Sequence, residues 1–385
     1  MAERVGIVAV AQTKYSANRD DVNEGELAYE AIRQVLDETG LRFSDEGDGI
    51  DSAVTCSQDF WDGRTISSTN VMSFVGAHLG NEDKIAEDGI NALYCAVARI
   101  LSDHHQIVLV VSHMKESQVD GSVVQNCAFD PIYLRLLGLD FLTAAALQAR
   151  SYMHKYGITV EQCAKVVVKN RANARNNPYA QEPLNVTVDD VLKSDMLASP
   201  IRLLDTKPVS DGACAMVLAT EEKARKLAAK PIWVLGVSNC YETHYLGERE
   251  LADCDALASA ARKAYSMAGI TDPWKQIDVA EISEEQSYQE LLWMEGLGFC
   301  DRGMGGKLID SGKTQMGGEL PVNPSGGMLS GNPNGVAGMT RVAEAVLQLR
   351  GEAGGRQVPG AKVALAHGVT GACGQLQSVM IVGNS

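Results

Sequence analysis

The chain has 385 residues, of which 45% are hydrophobic and 22% charged, a globular composition whose length suggests two domains. The formal net charge is −15 and no run of lysine or arginine occurs, which disfavours nucleic acid and anionic membranes as partners. The nine cysteines show no CxxC spacing and no apolar run is long enough to span a membrane, so we expect a reduced, cytoplasmic protein without its own zinc ribbon.

The first half of the chain alternates predicted strands and helices. A strand at 5–10 begins close to the first residue, with no signal peptide before it. A helix is predicted at 24–38, because its apolar residues recur at helical spacing, Asn23 can cap its start and Gly40 ends it. The further predicted elements are a strand at 49–54, a helix at Gly89–Leu101, and strands at 106–111 and 214–219.

The second half repeats this order about 227 residues later. Its predicted elements are a strand at 232–237, a helix at Asp255–Ala268, a strand at 276–282, a helix at 336–350, and strands at 361–366 and 378–382. The repeat indicates a duplicated βαβαββ unit, and the continuous apolar strands favour a mainly parallel sheet covered by helices. We therefore predict an α/β protein with halves at 1–225 and 226–385.

A segment at about 115–200 interrupts the first half and contains two further helical patterns, at 141–156 and 160–176. We expect it to form a cap over a functional site. We predict that four of its apolar residues form the wall of an acyl pocket: Phe129, Tyr133, Leu136 and Leu137.

Three short segments, one near the end of the first half and two glycine-rich ones in the second, carry a family resemblance. Residues 323–335 read NPSGGMLSGNPNG, residues 365–371 read LAHGVTG, and residues 210–215 read SDGACA. Their order and spacing resemble the thiolase superfamily, and most of all the thiolases related to sterol carrier protein x and the archaeal acetyl-CoA acetyltransferases. The resemblance implies two five-stranded sheets in a five-layer αβαβα sandwich, with the coenzyme A (CoA) thioester reaching the junction of the halves.

The chain departs from this family at two catalytic positions. The family's nucleophilic cysteine lies three residues before the glycine that matches Gly89, and this chain has Ala86 there. The family's catalytic histidine is replaced by Asn332. An asparagine cannot accept a proton but can donate a hydrogen bond to an oxyanion, so either this role or a purely structural turn is open.

Other side chains are candidates for proton transfer or nucleophilic attack. Glu284 and Glu285 follow the strand predicted at 276–282, and adjacent carboxylates in a closed site can yield a general acid or base. His367 and Cys373 share the C-terminal glycine loop, where an imidazole can activate a thiol. Cys127 of the interrupting segment is another candidate nucleophile. Solvated charges, a buried structural histidine and unreactive thiols are the alternatives.

The resemblance further implies that CoA is bound as a substrate, with no permanently bound cofactor and no metal. The residues matching its CoA side are Lys207, Ser210, Ser325, Gly326 and Gly89. A homodimer is expected. The missing cysteine, Asn332 and the segment SYMHKYGIT at 151–159 make the chain resemble thiolase-like subunits from degradation operons, which work beside a small zinc-ribbon/OB-fold protein.

Three functions follow as hypotheses. The first is thiolytic cleavage of a β-ketoacyl-CoA, such as the aromatic benzoylsuccinyl-CoA, with Cys373, Cys127 or CoA itself as nucleophile. The second is retro-aldol cleavage of a β-hydroxyacyl-CoA, as in the similar steroid side-chain aldolases. That reaction needs a base and an electron sink but no cysteine. The third is a non-catalytic subunit of a complex.

Overall fold

A computed structural model describes residues 4–44, 48–63 and 66–385. Residues 1–3, predicted to lead directly into a strand, lie outside the described residues. The strands are β1 (Val5–Gln12), β2 (Ser52–Cys56), β3 (Glu82–Ile85), β4 (Ile107–Lys115), β5 (Met196–Ala198), β6 (Ile201–Arg202), β7 (Asp211–Thr220), β8 (Ile232–Tyr241), β9 (Val279–Glu281), β10 (Val363–Thr370) and β11 (Leu376–Gly383). The helices are α1 (Glu24–Thr39), α2 (Asp59–Asp62), α3 (Gly89–Leu101), α4 (Gly121–Cys127), α5 (Phe141–Tyr156), α6 (Val160–Ala174), α7 (Val188–Lys193), α8 (Glu221–Leu227), α9 (Asp255–Ala268), α10 (Pro273–Gln276), α11 (Ser287–Gly296), α12 (Gly305–Asp310) and α13 (Asn334–Arg350).

The local signals in the sequence account for the helix ends. Asn23 accepts a hydrogen bond from the Glu26 backbone at the start of α1, and the Glu26 side chain accepts one from the Asn23 backbone. The helix ends at Gly40, whose φ of 68° lies in the left-handed region that favours glycine. Asp88 caps α3 by accepting from the Ile90 backbone. The predicted bounds of α3 and α9 are confirmed.

Nine strands form one sheet in the order β3-β2-β4-β7-β1-β8-β11-β10-β9. The first half supplies the five strands from β3 to β1, and the second half supplies the four from β8 to β9. Only two residue pairs join β1 to β8, so the sheet is nearly divided in two. The expected fifth strand of the second half is reduced to one bridge, between Ala280 and Val322.

The expectation of a mainly parallel sheet is wrong. Only β2–β3, β2–β4 and β9–β10 are parallel among the neighbouring pairs of the nine-stranded sheet. The reason is that β7 and β11, the closing strands of the two halves, run antiparallel to both of their neighbours.

Helices cover both sides of each half-sheet. The α3 and α13 helices pack against each other between the two half-sheets, and α13 contacts strands of both. On the outer faces, α1 packs on β7, β4 and β1, and α9 packs on β8 and β11. This arrangement confirms the α/β class and the five layers of the predicted sandwich.

The segment between β4 and β7 connects the halves. Its α5 and α6 helices pack against α11 and α12 of the second half. Its apolar residues differ from the expected pocket wall: Phe129 is buried against Phe141, whereas Tyr133, Leu136 and Leu137 are 68%, 81% and 77% exposed. These three side chains point to solvent because they lie on a surface turn between α4 and α5.

Candidate active site at the junction of the halves

Two neighbouring cavities open where the halves meet. The first measures about 290 Å³ and the second about 200 Å³. The first is lined by Gln58, Asp59, Phe60, Ala86, Ala128, Phe141, Glu285, Asn334, Thr370 and Gly371. The second is lined by Trp61, Glu116, Val119, Gly121, Gln125, Phe141, Leu142, Leu197, Thr206, Lys207, Val209, Glu285, Gln286 and Asn334. Glu285, Phe141 and Asn334 line both cavities and therefore mark their junction.

The start of α3 brings Ala86 to the first cavity. Gly89 lies against α13, where an added Cβ would come within 2.5 Å of the Met339 Cβ, so the close approach requires glycine. Asp88 fixes the same contact because its carboxylate accepts from the Gly338 backbone and from Ser378. Ala86, the residue predicted to match the family's nucleophile, thus reaches the cavity, and its side chain is only a methyl group.

Glu285 carries a half-buried carboxyl group that lines both cavities. Its pKa is raised to about 7, chiefly by burial; the Lys207 ammonium opposes this shift and the Glu116 carboxylate adds to it. The Glu285 backbone is fixed by the Gln289 side chain, which accepts from its N–H at 2.9 Å. A carboxyl group with a pKa near neutrality can both accept and return a proton, as a general base requires.

Glu116 organises the wall that the two halves share. Its carboxylate lies 2.7 and 2.8 Å from the Lys207 ammonium. It also accepts from the Ser210 backbone at 3.1 Å and from the Asn334 backbone at 2.9 Å. The last contact places a negative charge at the start of α13, where the helix dipole favours one. The cation of Lys207 is therefore neutralised by an ion pair within the protein.

Three buried polar atoms on the cavity walls have no hydrogen-bond partner in the part of the chain that the structure describes. They are Asn334 Oδ1, Thr370 Oγ1 and Gln286 Oε1. Thr370 lines the first cavity, Gln286 the second and Asn334 both. Because unsatisfied buried polar atoms carry a free-energy cost, their presence on these walls indicates a site that a polar ligand completes. The hydroxyl group of Thr370 is a donor with no partner among the described residues.

The predicted carboxylate pair is split between two environments. Because successive residues of an extended segment point to opposite sides, Glu285 faces the cavities while Glu284 faces the interior. Glu284 accepts from Asn170 at 2.9 Å and from Asn323 at 3.0 Å. Burial raises its pKa to about 8, and the nearby Glu290 carboxylate adds to the shift. Glu284 thus lies in a buried polar cluster, outside the walls of both cavities.

His367 and the two candidate thiols, Cys373 and Cys127, do not line either cavity. His367 is fully buried, accepts from the Ser283 backbone through Nδ1, and contacts Gln377 at 2.7 Å through Nε2. Burial lowers its pKa to about 4. Burial also raises the pKa of the Cys373 thiol to about 12, which disfavours the thiolate. Cys127 ends α4, next to Ala128 of the first cavity.

Asn332, Ser325 and Gly326 belong to a polar cluster beneath the site. The Asn332 amide oxygen accepts from Arg341, and the same guanidinium donates to Glu281 and to Ser325. Gly326 packs against α6, with a φ of 100°. None of these residues lines the two cavities, whereas Lys207 does and Ser210 lies behind it.

Sequence reasoning missed Asn334, Thr370, Glu116 and Gln286. Asn334 follows Asn332 by two residues, and Thr370 belongs to the quoted C-terminal loop, so both lay inside recognised segments. Glu116 had no local signal, because its role depends on contacts with Lys207 and Asn334, which are far apart in sequence.

Within the described ranges, no group of three His, Cys, Asp or Glu side chains is placed to hold a metal ion. The same part of the chain contains no helix with the length and apolar character needed to cross a membrane.

The duplicated βαβαββ halves, the five layers and the cavity at the N-terminus of α3 together define a thiolase-type enzyme fold. Residues 238–384 match the family model described as thiolase C-terminal domain-like. An acetyl-CoA acetyltransferase of Methanothermobacter thermautotrophicus is 36% identical over 383 residues, which cover 96% of this chain and 97% of the relative. The chain therefore belongs to the thiolase superfamily and is a thiolase-like enzyme, as predicted.

Two further relatives are informative. The benzoylsuccinyl-CoA thiolase subunit BbsB of Thauera aromatica is 36% identical over 231 residues, which cover 59% of this chain and 60% of BbsB. The solved structure described as the Ltp2-ChsH2(DUF35) aldolase matches with a TM-score of 0.83 at 25% identity, over 99% of this chain and 98% of that chain. Proteins similar to this chain are thus named for thiolase and for aldolase chemistry.

Proposed function

We propose that this protein breaks the bond between the α- and β-carbons of an acyl-CoA, with Glu285 as the general base. The observation that carries the proposal is the composition of the junction. It holds a half-buried carboxyl group with a pKa of about 7, while the residue matched to the family's nucleophile is Ala86 and no cysteine occurs among the described residues that line the two cavities. Proton transfer is therefore the chemistry that these walls support best.

Retro-aldol cleavage of a β-hydroxyacyl-CoA needs only a general base and a hydrogen-bond donor, and this site has a candidate for each. Glu285 removes the proton of the β-hydroxyl group, the oxygen forms the carbonyl of the leaving aldehyde or ketone, and the Cα–Cβ bond breaks. Its electron pair moves onto the thioester oxygen as an enolate, which the Thr370 hydroxyl is placed to stabilise. The proton on Glu285 then returns to Cα and releases the shortened acyl-CoA. Neither water nor free CoA is consumed.

Thiolysis is the second candidate, and the 36% identity to an acetyl-CoA acetyltransferase favours it. Without a cysteine on the walls, CoA itself would attack the β-carbonyl group. Two pantetheine arms would then have to reach the junction together. Retro-aldol cleavage needs one arm, and the cavities of about 290 and 200 Å³ meet at a single junction around Glu285. This difference ranks retro-aldol cleavage above thiolysis, and both above a non-catalytic role.

The pantetheine arm is assigned to the second cavity. Its wall carries amide and hydroxyl groups, including Gln125, Gln286 and Thr206, which suit the amide groups of pantetheine. Lys207 of the same wall and Ser210 behind it are the CoA-side residues that this geometry supports. CoA acts here as the carrier of a substrate, with no permanently bound cofactor proposed.

We also propose that the protein works in an assembly, as a homodimer with a small zinc-ribbon/OB-fold partner. The exposed apolar side chains between α4 and α5, including Tyr133, Leu136 and Leu137, are consistent with a covered surface. The DUF35 component named in the matched aldolase structure motivates the choice of partner. Light scattering of the purified protein, alone and after co-expression with a zinc-ribbon protein, tests this assembly.

The test of the reaction uses the protein with a β-hydroxyacyl-CoA and, separately, with a β-ketoacyl-CoA plus CoA. We expect release of an aldehyde or ketone from the first mixture without added CoA. Glu285→Gln should lower this rate by about 10²- to 10⁴-fold, the usual contribution of a general base. Acyl-CoA formation only in the second mixture would select thiolysis, and tight binding of CoA thioesters without turnover of either would contradict both reactions.

A further inference from the structure

The first cavity has walls of two kinds. Its apolar surface comes from Phe60, Phe141, Ala86 and Ala128. Its charged groups are the carboxylates Asp59 and Glu285, and no cation occurs among its ten lining residues. Lys84, which pairs with Asp59, is not part of the lining. A ligand in this space therefore meets apolar side chains, the neutral polar groups of Gln58, Asn334 and Thr370, and two acids, of which Asp59 is ion-paired.

The size of the cavity sets a second constraint. It measures about 290 Å³. A protein cavity of about 150 Å³ lined by apolar side chains is enough to bind benzene. A methyl or ethyl group would leave most of the space unfilled, whereas a substituted ring or a branched chain of similar size would fill it. Burial of apolar surface then contributes to binding in proportion to the area covered.

We infer that the first cavity binds a bulky, neutral, apolar group on the β-carbon, which leaves as a ring-sized or branched aldehyde or ketone. A carboxylate on this group is rejected, because it would lie beside Glu285 and the Asp59–Lys84 ion pair with no further cation among the described residues of the lining. The inference rests on the proposed function for the identity of the reacting bond. It extends that function to the class of the leaving fragment.

Ala128 is the specificity-determining residue that this geometry singles out. It lines the first cavity from the end of α4, and its own surface is exposed, so a larger side chain there does not disturb the core. Val123 lies on the same helix, is 59% exposed and lines neither cavity. It provides a matched control position for substitutions.

The experiment compares three β-hydroxyacyl-CoAs, with a methyl, a phenyl or a carboxyphenyl group on the β-carbon. We expect kcat/KM for phenyl to exceed that for methyl by at least about tenfold and that for carboxyphenyl by about a hundredfold or more. Ala128→Trp should reduce the phenyl-to-methyl ratio by about tenfold or more, and Val123→Trp should not change it. Ala128→Arg should raise the carboxyphenyl-to-phenyl ratio, because it supplies the missing cation.

Calorimetric binding of the corresponding thioesters without the β-hydroxyl group separates this inference from the proposed reaction. If these inert thioesters bind in the order phenyl, methyl, carboxyphenyl while no β-hydroxyacyl-CoA is cleaved, the pocket is correct and the proposed reaction is wrong. If the carboxyphenyl thioester binds as tightly as phenyl, or if Ala128→Trp leaves the ratios unchanged, the inference about the pocket is overturned.

Discussion

At the scale of single residues, neighbouring side chains of like charge have different roles. Glu284 belongs to a cluster with Asn170 and Asn323, whereas Glu285 faces the cavities and the Lys207 ammonium. The sequence predicted the pair as an acid–base candidate but could not separate its members. The separation depends on which side of an extended segment faces a cavity, and that side is set by contacts with α6 and α11.

The pH dependence of the reaction tests the role of Glu285. The base must be ionised, so kcat/KM should rise with pH and level off above about 7, the pKa of Glu285. Lys207 opposes the rise of that pKa. Lys207→Met should therefore move the rising limb to higher pH, and Lys207→Arg should leave it nearly in place. A limb at the same pH in the Lys207→Met variant would contradict the electrostatic link between the two residues.

At the scale of secondary structure, capped elements were predictable and short ones were not. The bounds of α9 were predicted correctly because Gly269 ends a regular apolar pattern. The predicted strand at 276–282 was too long, since α10 runs to Gln276 and only Val279–Glu281 forms β9. Pro273 at the first turn of α10 was the overlooked signal. The approach of α3 to α13 through Gly89 could not be predicted, because it joins distant parts of the chain.

The cap of α3 should make folding stability depend on pH. Burial raises the pKa of Asp88 to about 7, although the Ile90 and Gly338 backbones and Ser378 donate to it. The folded state thus favours the protonated form more than the unfolded state does. The stabilising contribution of this group is complete below about pH 4 and is lost as the pH rises to about 7.

Asp88→Asn should flatten this part of the stability curve, measured as the free energy of unfolding in urea between pH 4 and 8. Asp120 provides the opposite control, because hydrogen bonds from Ser122 lower the pKa of this exposed cap of α4. Its contribution is lost at low pH instead, so Asp120→Asn should alter only the acidic end of the curve. A slope that is unchanged in Asp88→Asn would refute the assignment.

Two lysines of α6 should differ in their contribution to stability. Lys169 is buried and pairs at 2.7 Å with the buried Glu290 of α11, whereas Lys165 pairs with Asp310 at the surface. Lys169→Met leaves a buried carboxylate uncompensated and should cost about 3–5 kcal/mol of unfolding free energy. Lys165→Met should cost at most about 1 kcal/mol. Similar losses in the two variants, measured by urea denaturation, would contradict the structural role of the buried pair.

At the scale of the whole molecule, duplication was the feature that the sequence revealed most clearly. Strand, helix and glycine patterns recur in both halves, and the nine-stranded sheet is nearly divided between β1 and β8. The two halves at 1–225 and 226–385 stay a prediction. The interrupting segment packs on the second half through α5 and α6, a contact that local sequence does not encode. The junction cavities follow from these long-range contacts.

The most direct test of base-driven, thiol-independent bond cleavage is intact-protein mass spectrometry during a single turnover. The protein is mixed in excess with a β-hydroxyacyl-CoA, without free CoA, and the carbonyl product is quantified in parallel. The account predicts stoichiometric release of an aldehyde or ketone while the protein keeps its unmodified mass. An acyl adduct that forms on a cysteine and decays at the rate of product release would contradict it.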